Sequence, residues 1–154
     1  MNNGVRAEHE RYRMTTTNEI EAGRRIDLDR EVIGIGSVDR RARLVEQVPG
    51  RPPRRIDGFT IGAPELTGDA PHGGEVHPDG DEVLFLVSGG VSVRLELPEG
   101  DEVIELRGGD ALVVPQGIWH EIKLREPGRL VHITPGPNGD ARPRGARRAS
   151  PGSS

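Results

Sequence analysis

His72-Gly73-Gly74-Glu75-Val76-His77-Pro78-Asp79-Gly80-Asp81-Glu82-Val83-Leu84-Phe85-Leu86-Val87-Ser88-Gly89 reads as two short strands folded back on each other across a tight turn. Glu75 and His77 are two residues apart, so on a strand both side chains leave the same face. Pro78-Asp79-Gly80 supplies the turn, proline by presetting one backbone angle and glycine by accepting conformations that other residues avoid. Glu82 then opens an antiparallel run. If it faces inward, so do Leu84, Leu86 and Ser88, an alternation suited to a barrel interior. A second stretch, Gly109-Asp110-Ala111-Leu112-Val113-Val114-Pro115-Gln116-Gly117-Ile118-Trp119-His120, carries its own Pro-x-Gly turn. That turn delivers His120 to the head of another strand, with Ile118, Ile122 and Leu124 on the same face.

Around these stretches the pattern repeats. β-type runs are expected at residues 58–62, 74–77, 82–88, 91–97, 102–107, 111–114, 119–124 and 130–134, separated by segments rich in Gly, Pro and Asp. Regularly spaced short strands with turn signals between them argue for an all-β sandwich or closed barrel. Val91, Val93, Leu95 and Leu97 alternate with Ser92, Arg94 and Glu96, which predicts a strand with one wet face and puts Arg94 on it. Upstream, residues 1–17 are polar, without periodicity, and are expected to be disordered; Met14 could be the true start. Residues 18–56 read as an N-terminal extension with a short helix near 18–30 and two short strands. The barrel is expected over 57–137, and 138–154 as a disordered basic tail.

Composition bounds the function. The chain has 154 residues, 32% hydrophobic and 3% aromatic, with 22 glycines and 13 prolines. This excludes a coiled coil, a collagen and a helical membrane protein, and leaves one turn-rich domain. A net charge of −4 argues against nucleic acid or an anionic membrane as partner. The Arg-rich tail lacks aromatic residues on which bases would stack. Without cysteine there is no disulfide, thiolate nucleophile or sulfur-ligated metal. Neither a signal peptide nor a transmembrane run is visible, so the expected location is cytoplasmic. Gly34-Ile35-Gly36 has no third glycine and opens no helix, so it is not read as a dinucleotide fingerprint.

Two imidazoles and two carboxylates, from Glu75, His77, Glu82 and His120, are thus expected to converge on one barrel mouth. Such a mixed nitrogen and oxygen set suits a divalent first-row ion: Fe²⁺, Mn²⁺, Zn²⁺ or Ni²⁺. Singly, each residue has an ordinary explanation, as an ion-pair partner, a packing histidine or a solvated turn acid; their joint spacing is what points to a metal.

The two stretches resemble the two motifs of the cupin superfamily. The first runs Gly-x5-His-x-His-x(3,4)-Glu-x6-Gly; His77, Glu82 and Gly89 fit it, while Glu75 stands at the first histidine position and the leading glycine is absent. The second runs Gly-x5-Pro-x-Gly-x2-His-x3-Asn; Gly109, Pro115, Gly117 and His120 fit it, and Leu124 replaces the asparagine. The resemblance covers about residues 57–135. It implies a double-stranded β-helix, or jelly-roll barrel, with a metal at its mouth bound by Glu75, His77, Glu82 and His120. A carboxylate at position 75 makes the site nominally neutral around a divalent cation and favours harder ions than three histidines would. His72 is the alternative fourth ligand.

The resemblance also implies a small-molecule ligand or substrate. Dioxygenase-like chemistry is the leading expectation, a non-catalytic binding or sensing module the alternative, and a vestigial site the third. A homodimer is expected from the edge-strand problem. Trp119 points away from His120 and is expected in packing or a dimer contact, and Phe85 in packing. His132 alternates against Val131 and Ile133; if those two fill the core, His132 lies outside the site.

Overall fold

The computed structural model describes residues 18–146. The expectations for 1–17, for the start at Met1 or Met14, and for 147–154 lie outside the described residues. The strands are β1 (Asn18–Glu19), β2 (Val32–Gly36), β3 (Ala42–Val45), β4 (Gly58–Gly62), β5 (Glu65–Leu66), β6 (Glu75–Val76), β7 (Glu82–Leu97), β8 (Gly100–Arg107), β9 (Ala111–Val114), β10 (His120–Gly136) and β11 (Asp140–Ala141). Every pairing is antiparallel. The protein is an all-β jelly-roll barrel.

Two long strands organise it. β7 and β10 pair along their length, with register shifts between Leu124 and Leu130. The first half of β7 and the second half of β10 lie in one sheet, in the order β1-β3-β2-β4-β10-β7-β9. Their other halves lie in the second sheet with β8, β6 and β11. Residues read as separate strands at 82–88 and 91–97 are therefore one strand, as are 119–124 and 130–134. Gly89-Gly90 and Pro127-Gly128 do not end strands; they bend them. Gly89 has φ +84, and a Cβ there would sit 2.6 Å from the Glu126 carbonyl oxygen, so only glycine permits this crossing. The bend also shifts the alternation. Leu84 and Leu86 face inward as expected, but Ser88 is exposed, and the inward set resumes at Val91, Val93 and Leu95.

The core is aliphatic: Leu84, Leu86, Val91, Val93, Leu95, Leu106, Val114 and Leu130 are all buried. Ile118, Ile122 and Leu124 pack against it from the face shared with His120. Fully burying an aliphatic side chain stabilises a fold by about 1.5–3 kcal/mol, so this small cluster carries the barrel.

Three expectations need correction. Residues 18–30 hold β1 and two turns, and no helix occurs among the described residues. The thin apolar stripe there offers little to bury on a helix face, and Glu31 accepts hydrogen bonds from Arg24 and the Asp27 amide that fix turns instead. Residues 140–146 of the expected tail lie on the barrel: β11 pairs with β6, and Arg142 bonds Glu96 at 2.5 Å and stacks 4.2 Å over the Trp119 ring. Trp119 is therefore held by this strap. Phe85 is not packed; it is exposed on the outer face.

That outer face is itself apolar. Across five strands the ladder aligns Ile33, Ile61, Ile133, Val83 and Val113. Phe59, Phe85, Val87 and Val113 along it are exposed. Val131 and Ile133 therefore point outward, and His132 faces in with Leu130 and Thr134.

Candidate metal centre

The expected four residues come together. Glu75 and His120 are cross-strand partners of β6 and β10, so their side chains share the inner face. Glu82, at the head of β7, reaches the same point from the other sheet, and His77 stands in the turn between. The Pro115-x-Gly117 turn is pinned to that turn. The Gly117 amide donates to the His77 carbonyl at 2.9 Å, the Gln116 amide to Asp81 at 2.8 Å, and the Gln116 side chain to the Pro78 carbonyl at 2.6 Å. Gly117 has φ +74, which explains the glycine at this place in the turn.

The separations are those of ligands around one ion. His120 Nε2 lies 3.0 Å from Glu82 Oε2 and 3.5 Å from Glu75 Oε1; His77 Nε2 lies 3.4 Å and 3.9 Å from the same two atoms. One donor atom from each residue lies within 4.8 Å of every other. Ligands roughly 2.0–2.2 Å from a shared metal are spaced in this range.

The unmatched atoms point the same way. His77, Glu82 and His120 are buried, yet both ring nitrogens of each histidine and Oε2 of Glu82 make no hydrogen bond. Each such atom costs roughly 1–3 kcal/mol when left alone, and more where charge is involved. A cation would satisfy the Nε2 and carboxylate atoms together, so the residues present fit a metal. His72 touches the other oxygen of Glu75 at 3.7 Å and lies outside the group of four.

Without an ion the four groups hold one another's charge. Burial pushes the Glu82 carboxyl up, but His120 and His77 outweigh it and hold it well below the usual carboxylate range. Glu75 is lowered in the same way: burial works against the shift and His120 leads the opposing causes. Burial pushes His120 down, yet the two carboxylates raise it to about 9.

Behind the cluster lies a polar layer that sequence reasoning missed. Thr134, fully buried, donates its hydroxyl to Glu82 Oε1 at 2.7 Å and meets His132 Nδ1 at 2.9 Å. Its one proton goes to Glu82, so His132 donates from Nδ1 and leaves Nε2 as acceptor. Burial pushes His132 down, as does Arg55. His132 thus belongs beside the site, contrary to its expected place, and Gly62 makes room for it: a Cβ there would sit 2.5 Å from His132 Nε2. The signal available was alternation within the second half of β10, where Leu130, His132 and Thr134 share a face.

Arg55 also reaches in, donating from Nη1 to the buried Thr60 hydroxyl at 2.9 Å. Burial pushes its guanidinium down, while the charges of Glu75 and Glu82 pull it back up. A cavity of about 680 Å³ opens on the outer face around Arg94, and one of about 300 Å³ lies between residues 65–70 and the inward-facing Ile122, Leu124 and Leu130; none of the four clustered residues lines either. Arg94, as expected, lies on the wet face, paired with Glu121 at 2.7 Å. No helix of the described residues is long and apolar enough to cross a membrane.

Residues 66–134 match the family model described as Cupin domain. No curated protein matches the chain in sequence. Among solved structures it is similar to a protein from Neisseria meningitidis, at 26% identity and a TM-score of 0.43, covering 60% of this chain and 89% of that one. A cupin-2 domain containing protein from Shewanella frigidimarina is 22% identical, with a TM-score of 0.44 and coverage of 59% and 84%. Hydroquinone 1,2-dioxygenase from Sphingomonas, with 4-hydroxybenzoate bound, is 18% identical at a TM-score of 0.42, and the match covers 53% of this chain but only 63% of that protein.

Proposed function

We propose, from the premise that residues 66–134 form a cupin domain, that this protein binds one divalent cation and acts on a small organic molecule there. Glu75, His77, Glu82 and His120 are the ligands, and Fe²⁺, Mn²⁺, Zn²⁺ and Ni²⁺ all suit their donor set. The observation that carries the reading is that Nε2 of His77 and of His120, both buried and without a hydrogen bond, face the equally unpartnered Oε2 of Glu82 at 3.4 and 3.0 Å, with Glu75 Oε1 beside them. When bound, such an ion supplies a Lewis acid and open positions for a substrate oxygen or dioxygen, which makes dioxygenase-like chemistry the leading form of the proposal.

The chain's own residues have separate tasks. Thr134 fixes the Glu82 carboxylate by its hydroxyl, and the Pro115–Gly117 turn fixes His77. Glu75 is 22% exposed where the other three are buried, so a small molecule enters past it. The same proposal includes a cytoplasmic homodimer, supported by the apolar outer face of the first sheet; monomers rarely leave so continuous an apolar face exposed.

Metal analysis of the purified protein tests the site. Wild type is expected to hold close to one equivalent, and Glu82→Ala and His120→Ala to lose it; unchanged metal in both variants overturns the ligand set. Oxygen uptake with catechols, keto acids and sugars tests the chemistry. Binding without turnover by any of these would favour a non-catalytic sensing module.

A further inference from the structure

Arg55 stands beside the metal cluster and takes no part in it. It lies in the proline- and arginine-rich connector before β4, yet the connector turns into the barrel because glycines clear the wall. A Cβ on Gly136 would sit 2.8 Å from the Arg55 Cβ and 2.5 Å from the Ile56 carbonyl oxygen, and one on Gly34 would sit 2.7 Å from Ile56 Cδ1. Once inside, the guanidinium is tied to the same rung of the ladder as Glu82. It donates to Thr60; Thr60 is the cross-strand partner of Thr134; and Thr134 donates to Glu82.

Arg55 lies in the field of Glu75 and Glu82 but contacts neither. Arg24, Arg43, Arg94, Arg129 and Arg142 each have a carboxylate within 4.0 Å, whereas Arg55 has none among the described residues. A guanidinium carries five donors, and one is used, on Thr60. The remaining donors are not among the sealed atoms that lack a partner. With a divalent ion held by Glu75 and Glu82 the cluster itself is neutral, so the mouth as a whole carries the one positive charge of Arg55. Holding an unpaired cation in a half-buried place is costly unless an anion joins it.

We infer that Arg55 is the carboxylate-binding residue of this site, and that its ligand is a small monocarboxylic acid seated between the guanidinium and the metal. This rests on the metal reading above. One guanidinium matches one carboxylate in charge, and its planar fork matches the two oxygens; a phosphate dianion would leave a charge over. A hydroxyl or keto oxygen next to the carboxylate, as in glycolate and pyruvate, faces the metal position, while Thr60 keeps the fork oriented.

The experiment is calorimetric titration of Zn²⁺-loaded protein with glycolate, pyruvate and benzoate and with the neutral amide of each. Wild type, Arg55→Lys and Arg55→Gln are compared, with metal content measured in every sample. Wild type is expected to bind at least one acid about tenfold or more tighter than its amide, Arg55→Gln to lose that preference at unchanged metal content, and Arg55→Lys to retain part of it. If Arg55→Gln does not fold, Arg55→Met, which keeps the aliphatic stem, takes its place. The inference is overturned if loaded wild type binds none of the acids, if it binds acids and amides equally, or if loss of the guanidinium leaves acid affinity unchanged. Failure of wild type to take up Zn²⁺ is a different result: it removes the metal reading, and the acid titration of the metal-free protein then decides Arg55 by the same comparison.

Discussion

Stripped of metal by a chelator, the protein should lose stability as the pH rises from 6.5 to 9. His120 is raised from 6.5 to about 9 in the folded state by the two carboxylates it faces. Below pH 6.5 the imidazole is protonated both folded and unfolded, and its attraction to Glu75 and Glu82 contributes in full. Above pH 9 neither state holds the proton and the contribution is gone. The difference between the two values corresponds to on the order of 3 kcal/mol, which for a domain of this size lowers Tm by roughly 10 °C. Glu75 and Glu82 are held below the usual carboxylate range, so both stay ionised across this window and their own titration lies in acid. His132, pushed down, also titrates below it. Metal reverses the sign, because an ion competes with the proton for His120 Nε2 and binds more tightly as the pH rises. The assay is thermal unfolding by circular dichroism at half-unit pH steps, with and without Zn²⁺, on wild type and His120→Gln. A metal-free wild type whose Tm is flat or rising between pH 6.5 and 9, or a His120→Gln variant with the same slope, would refute this reasoning.

Thr134→Val keeps the shape of a fully buried side chain and deletes its hydroxyl, so Glu82 loses a donor and His132 an acceptor. Urea unfolding should show a loss of about 1–3 kcal/mol, together with weaker metal binding. Arg142→Ala takes the close partner from the buried Glu96 carboxylate, leaving it only Arg94 at 3.9 Å, and uncovers Trp119. A loss on the order of 3 kcal/mol is expected, with a red shift of Trp119 fluorescence as water reaches the ring. Gly62→Ala drives a methyl group into the His132 ring and should cost about 1–3 kcal/mol; a neutral result would mean that His132 has room to turn away. Val113→Lys places a charge on the exposed apolar row; if the proposed dimer forms through that row, sedimentation should show wild type as a dimer and the variant as a monomer.

The sequence carried much of this site because its chemistry is local. Glu75, His77 and Glu82 sit on either side of one turn, and Pro115-x-Gly117 places His120, so spacing and turn residues were enough. What escaped depended on the rest of the barrel. Gly89-Gly90 and Pro127-Gly128 look like hairpin turns but are bends where β7 and β10 pass from one sheet to the other, and no short window of residues distinguishes the two. His132 was misplaced because Val131 and Ile133 are as apolar as any core pair, and hydrophobicity cannot choose between two faces when the outer one is apolar too. Arg55 gave no signal of its own. Its entry into the mouth depends on Gly34 and Gly136, which lie in strands on either side of it in the chain.

The pairing of β6 has a consequence for how the protein comes to be made. This two-residue strand carries Glu75, and its neighbours, β10 and β11, both come from far downstream. On the ribosome, a chain that has already exposed Glu75, His77 and Glu82 has nothing to hold the first of them in place until His120 and then Asp140–Ala141 emerge. Long loops must close before these contacts return any free energy, so the ligand constellation is among the last parts to form. The four side chains of the proposed site are therefore brought together only once β10 and β11 have paired with β6. A chain halted before residue 140 carries Glu75, His77, Glu82 and His120 but lacks the strand that braces Glu75, so the last residues of the barrel govern a cluster to which they contribute no side chain.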